Sequence, residues 1–368
     1  MKTSVAVAAL AALAALALAL TATAQAAEPV RAWQGARTVV KDKHLIPAMK
    51  DGEGYGDKYT FNADFGDRGS FYFSLTISNL GLGDHKMEAK GRLSVDGKEM
   101  RWDKDLDEDD WSYAKDKLLI KAGPATLSGT PDALRFQVDA GGNALDFTFT
   151  PIARAWRPRN GQVQFGKDRK VSDYTVFPLM TAKGKFKIGG DWQEIEGRGY
   201  GTRSWSEMAV YEQSRWALDM RGIEGDTTVY MREIGTTDEY GAIRVPYLLI
   251  TKGDQVLVES FDYQFKPTEM MTDDKHENAY RVPEGFTLAG KDAEAKDVQF
   301  RGKVTKKKLL ARKDPLGEMN AALRAVAERY SKPVRYEYEV DYLIEVKTAN
   351  GVERIGGTGR YEVYHLNK

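Results

Sequence analysis

Along most of this chain apolar and polar side chains alternate with a period of two, the spacing that sends neighbouring side chains to opposite faces of a sheet. Phe71, Phe73, Leu75 and Ile77 alternate with Tyr72, Ser74, Thr76 and Ser78. Met87, Ala89, Leu93 and Val95 alternate with Lys86, Glu88, Arg92 and Ser94, and Asp96-Gly97 then supplies a hairpin turn, since both residue types accept positive φ. Leu134, Phe136 and Val138 lead through Gly141-Gly142-Asn143 into Leu145, Phe147 and Phe149. The later half repeats the habit: Trp216, Leu218 and Met220, then Val229 and Met231, then Tyr247 and Leu249 across Lys252-Gly253-Asp254 from Val256 and Val258. A last hairpin runs from Tyr336, Tyr338, Val340, Tyr342, Ile344 and Val346 through Asn350-Gly351 to the end. Many short strands with turn signals between them predict barrels or sandwiches and leave no room for parallel βαβ folds.

One stretch beyond the N-terminus has helical spacing. Leu316, Met319, Leu323, Val326 and Tyr330 lie three or four apart, Asp314 can cap, Pro315 fits the first turn and Pro333 stops it. A helix over Pro315 to Tyr330 is expected, with its Leu316, Met319, Leu323 and Val326 face packed on the second half of the chain. A faint internal echo sets the domain count: Ile195-Glu196-Gly197-Arg198-Gly199 recurs as Ile355-Gly356-Gly357-Thr358-Gly359. Each copy ends a long strand run, and glycine in a strand marks a sharp bend or a close backbone approach, both expected where a barrel closes. The expected organisation is a leader over 1–26, a first barrel over 27–205 and a second over 206–368.

The leader reading rests on Lys2, on the nearly pure Ala/Leu/Val run from Val5 to Leu20, and on Ala24-Gln25-Ala26, a small-x-small cleavage pattern. The run is short for a bilayer span. The expected location is therefore periplasmic or secreted, with no integral membrane segment once the leader is removed. The chain has no cysteine, which excludes disulfides, thiol chemistry and cysteine-held metal. Its 54 Lys and Arg balance 54 Asp and Glu, and beyond Lys306, Lys307 and Lys308 no basic stretch suggests nucleic acid as a partner.

Few motifs carry chemistry. Asp105, Asp107, Asp109 and Asp116 imitate a calcium loop, but Asp110 stands where the sharp turn needs glycine, so they read as a solvated acidic loop. His44, His85, His276 and His365 are scattered and read as surface or structural residues, with no pair at a metal-binding spacing. Gly197, Gly199 and Gly201 are followed by Thr202 and no helix, which argues against a nucleotide loop. Ser204 and Ser206 lie in no G-x-S-x-G frame. No metal or organic cofactor is expected. What stands out is aromatic weight, 7 Trp, 18 Tyr and 14 Phe, several beside arginine at strand ends. Aromatic walls with a few placed polar groups suit an apolar ligand at a barrel mouth or at the seam between two barrels, although aromatics also fill cores.

The run Trp156-Arg157-Pro158-Arg159-x-Gly161, then Tyr174 to Pro178, Gly184, the Gly197-x-Gly199-Tyr200 to Trp205 stretch, Trp216 and Tyr240-Gly241 resembles the tandem lipocalin-like superfamily. That group takes in the yeast oxidative-stress survival factor, carotenoid hydratase, tocopherol cyclase and fungal lipocalin-like Diels-Alderases, and the Trp-x-Pro-Arg run looks nearest to the survival-factor branch. The resemblance implies an all-β fold of two tandem lipocalin-like antiparallel barrels, with one packed helix in the second, and the seam as the pocket. It implies a lipid or isoprenoid as ligand. In the hydratase branch the glycine-tyrosine motif runs on into an acid and a histidine, whereas here it reads Gly201-Thr202-Arg203-Ser204-Trp205-Ser206, so binding or carriage of a hydrophobic small molecule is expected ahead of catalysis. Trp156, Tyr200, Trp205 and Trp216 are the expected walls and Arg203 the headgroup contact. The alternative is an enzyme of the hydratase, cyclase or isomerase type, for which Glu207, Glu212, Asp219 and Tyr230 are the nearest strand-borne acids. A scaffold with filled barrels is the third reading.

Overall fold

The structure, a computed structural model, describes residues 27–80, 83–317, 319 and 321–367. The leader expected over 1–26 lies outside the described residues. Two antiparallel sheets account for nearly all of the regular structure, one of thirteen strands from Val30 to Ser206 and one of nine from Ser214 to His365. Both are meanders with a single cut. In the first, the last strand, Gln193–Ser206, returns to pair with the early strand Gly56–Asp64, leaving Lys98–Leu106 and Trp111–Tyr113 as the two edges of a nearly closed barrel. In the second, the last strand, Gly351–His365, pairs with the first, Ser214–Glu224, and the edges Gln255–Ser260 and Tyr263–Thr272 leave an open half-barrel. The fold is all-β and lipocalin-like.

The echoed glycines sit on these two returning strands. In the first barrel Gly199, and Gly201 two residues beyond the echo, face inward: a Cβ on Gly201 would lie 2.1 Å from the Phe61 ring and one on Gly199 2.7 Å from that of Phe149. No real Cβ approaches so closely, so the strand is bare of side chains there because the interior is already full. Phe61, Phe71, Phe73, Phe136, Phe147 and Phe149 occupy it, ring against ring, with Phe61 and Phe136 4.9 Å apart and Phe136 and Phe149 4.6 Å apart. Tyr336, Tyr338, Tyr361 and Phe286 fill the second barrel in the same way.

The helix is shorter than its spacing suggests. It covers Ala321–Ala327, because the preceding strand runs on to Lys313 and Asp314 then caps a turn, its carboxylate accepting from the Leu316 N–H at 3.1 Å and its carbonyl from the Gly317 N–H at 3.0 Å. Leu316 is buried as expected, but Met319 and Val326 are exposed, and the side chain of Leu323 lies outside the described residues. A second short helix, Val210–Gln213, links the two sheets. No described helix is long and apolar enough to cross a membrane.

His365 ends the returning strand of the second sheet. Its ring stacks on Tyr280 with centroids 4.5 Å apart, and its Nε2 has no hydrogen-bond partner among the described residues. Burial pushes this imidazole down from 6.5 to about 4. The folded chain therefore refuses a proton that the unfolded chain accepts, so stability is fullest above the ordinary value and falls as pH drops toward about 4. Urea midpoints measured across this window are expected to decline with acid, and His365→Phe, which keeps the stack without a titrating group, is expected to flatten the decline.

Candidate functional site

Inward-facing positions at one end of the first barrel bring a charged cluster together. On Gly56–Asp64 the inward set is Asp57, Tyr59, Phe61 and Ala63. The register places Arg203 opposite Tyr59 and Trp205 opposite Asp57 on one side, and opposite Thr175 and Asp173 on the other. Below this ring of polar groups the phenylalanines close the interior. Above it the segment 38–48 folds across the mouth, held by Tyr59 Oη donating to the Leu45 carbonyl at 2.8 Å, by the Ala48 N–H donating to Asp57 at 3.0 Å and by Arg203 donating to the His44 carbonyl. Between segment and barrel lies a cleft of about 540 Å3, lined by Thr38, Lys43, His44, Ile46, Pro47, Ala48, Lys115 and, from the barrel side, Arg157, Asn160, Gln162, Asp173, Arg203 and Trp205. That volume is in the range of small-molecule pockets.

Two buried ion pairs form its floor. Arg203 grips Asp57 with Nε at 3.1 Å and Nη2 at 2.6 Å, the side chains being 3% and 0% exposed. Burial works against the guanidinium charge, but Asp57, Tyr59 and Asp173 together more than offset it and hold Arg203 above its ordinary range. Arg157 donates to Asp173 at 2.6 Å and to the Asn160 carbonyl at 2.6 Å, and Asp173 also accepts from Gln162 at 3.3 Å. Burial pushes the Asp173 carboxyl up, with Arg157 opposing. The Arg157 guanidinium lies flat on Gly161, where a Cβ would stand 2.4 Å from Nε; with φ at +80° that position favours glycine on two counts. Arg157 and Gly161 of the Trp-Arg-Pro-Arg-x-Gly run are thus one structural unit. His44 accepts the Lys41 N–H on Nδ1 at 3.0 Å, and burial together with Arg157, Lys43, Arg203 and Lys41 pushes its imidazole down to about 4.

Of the expected site residues, Arg203 and Trp205 line this cleft and the other three do not. Trp156 is the immediate neighbour of Arg157 but faces the other way, into the seam, where its ring is stacked on Phe261 and lies 5.4 Å from Tyr247. Tyr200 alternates away from Arg203 to the outer surface of the barrel, where Arg221 covers its ring at 4.0 Å. Trp216 belongs to the second sheet, its ring laid on Gly235, where a Cβ would stand 2.2 Å away. The seam is packed with side chains. Trp33, Trp156, Phe165 and Tyr174 from the first sheet side pack against Tyr230, Ile234, Tyr247 and Leu249 from the second. The alternative acids are engaged elsewhere. Glu207 accepts the Val171 N–H and meets Lys50, Glu212 accepts the Ala209 N–H, Asp219 is paired with Arg232, and Tyr230 lies in the seam. His44, read as surface or structural, lines the cleft, as do Asp173, Lys43 and Lys115, which sequence reasoning did not single out.

Comparison with known proteins agrees with the fold. The Svf1 family model matches residues 99–363. No curated protein matches the chain. Among solved structures, CghA superposes with a TM-score of 0.59 at 11% identity, covering 91% of this chain and 94% of its own. A protein described as AttH from Nitrosomonas europaea gives 0.52 at 14% identity, covering 87% and 98%. Kievitone hydratase from Nectria haematococca gives 0.51 at 12% identity, covering 92% and 98%.

Proposed function

The chain belongs to the Svf1 family, and we propose on that footing that it is an exported soluble binder or carrier of a hydrophobic small molecule, a lipid or isoprenoid. The observation that carries this reading is the cleft at the mouth of the first barrel, where Ile46, Pro47, Ala48 and Trp205 offer an apolar side to a ligand whose polar end meets Arg157 and Arg203. Covering about 300 Å2 of apolar ligand surface at about 25 cal/mol per Å2 yields about 7.5 kcal/mol, which is micromolar affinity without special chemistry. Solvent extraction of the purified protein followed by mass spectrometry tests it. A co-purifying lipid supports the reading; no such lipid, together with no binding to a lipid panel, overturns it. Trp205 is half-buried and contributes to the wall more than to the core, so Trp205→Ala is expected to weaken binding about tenfold with little change in melting temperature.

One observation favours the enzymatic alternative: Asp173, whose carboxyl is pushed up by burial, and His44, whose imidazole is pushed down, line the same cleft. A positioned carboxyl is what hydration or isomerisation of an isoprenoid requires, and kievitone hydratase shares the fold. Turnover of isoprenoid alkenes that disappears in Asp173→Asn while binding persists would select this reading over carriage.

A further inference from the structure

Building on the reading that the mouth cleft binds a hydrophobic small molecule, we propose that it selects an anionic amphiphile, with a carboxylate or phosphate end group held among Arg157, Arg203, Lys43 and Lys115. The charge balance points there. Asp57 and Asp173 each neutralise one arginine, whereas Lys43 and Lys115 line the same cleft and neither has a carboxylate within ion-pair distance among the described residues. Two positive charges are left over beside the pocket.

The donors outnumber the acceptors as well. Asp173 is the one acidic side chain in the lining and is already occupied by Arg157 and Gln162. The Arg157 Nε–H is buried without an acceptor among the described residues, and a buried donor left unmade is costly. His44 uses Nδ1 as an acceptor, which in the neutral ring leaves the proton on Nε2 and makes that nitrogen a donor. A ligand that supplies oxygen acceptors and negative charge completes this set; a neutral alcohol supplies one acceptor and no charge, and a cation is repelled. Gly161 seats the guanidinium on bare backbone, so Arg157 is held in place before any ligand arrives, which lowers the ordering cost of binding.

The depressed imidazole provides a readout that a structural role would not move. Burial first, and then the positive charges of Arg157, Lys43, Arg203 and Lys41, hold the His44 imidazole down at about 4, so an anion settling among those charges relieves the electrostatic part and is expected to raise it. The experiment uses the full mature chain and four probes of equal chain length: decanoate, decyl phosphate, decanol and decyltrimethylammonium. Titration calorimetry near neutral pH is expected to show at least one of the two acids binding about tenfold or more tighter than decanol, with the cation weakest and the advantage shrinking in high salt. The ranking of decanoate against decyl phosphate tells which end group the cleft prefers. Imidazole NMR is expected to show the His44 pKa rising on saturation with the tighter acid. Lys43→Ala combined with Lys115→Ala, both at exposed positions, is expected to remove most of the acid's advantage over decanol. Equal binding of acid and alcohol, or an unmoved His44, would overturn charge selection and leave the carrier reading standing. Absence of binding by every probe, with no lipid in the extract, would overturn both.

Discussion

Asp57→Ala is expected to lower the unfolding free energy by about 3–5 kcal/mol, the cost of leaving a buried charge without its partner. Asp57 is fully buried and receives both Nε and Nη2 of Arg203 as well as the Ala48 N–H. Its removal strands a guanidinium that is itself 3% exposed and frees the segment that covers the barrel mouth. Urea unfolding of the variant is the measurement, and a loss below about 1 kcal/mol, the scale of a surface pair, would show that the pair is far wetter than the structure places it. The double replacement Asp57→Leu with Arg203→Met is expected to recover much of the loss, because removing both charges also removes the desolvation cost. It should recover stability without recovering ligand affinity, which separates the two roles of Arg203.

Trp156→Ala is expected to cost about 3–5 kcal/mol, as truncation of a large buried aromatic does, and to leave the affinity of the folded fraction unchanged. The ring is 5% exposed and sits between Phe261 and Tyr247, both from the second sheet's side of the seam. The backbone of the same residue is tied to Val176 by two hydrogen bonds of 2.8 Å, so the chain cannot close over the hole. Calorimetric unfolding together with a binding titration decides the matter. A variant of native stability that binds poorly would return Trp156 to the ligand wall where the sequence alone had placed it.

The all-β architecture was legible because alternation is a local property and each strand displays it. What alternation did not reveal is which face meets what. Tyr200 and Arg203 are three apart on one strand and so point opposite ways, one to the seam and one to the mouth, yet both read as aromatic or basic residues beside a glycine motif. The seam itself leaves a trace in the sequence. Val171 to Met180 and Val245 to Ile250 are nearly unbroken runs of buried residues, and a strand without alternation is one covered on both faces; Tyr247 and Leu249 go to the seam while Leu248 and Ile250 go to the second core. Asp57 left a trace too: in Tyr55, Asp57, Tyr59, Phe61 it puts a charge on the apolar face, which is tolerable only with a buried partner. Its partner, 146 residues away, could not be read from any local pattern.

The strand Val30–Ala32 pairs within the first sheet, but the residues around it reach the second half of the molecule: the Glu28 N–H donates to the Glu239 carbonyl, the Trp33 indole to the Pro246 carbonyl and Arg37 to Glu259. These contacts close loops of more than two hundred residues, among the longest in the chain, and closures of that span come after the local hairpins because their entropy is repaid last. Segment 38–48 continues directly from these anchors and forms one wall of the mouth cleft. During synthesis the first barrel can therefore assemble its strands and set Asp57, Tyr59 and Arg203 against segment 38–48, while the N-terminal end of that strap is tied down only once the second barrel has arrived to receive Glu28, Trp33 and Arg37.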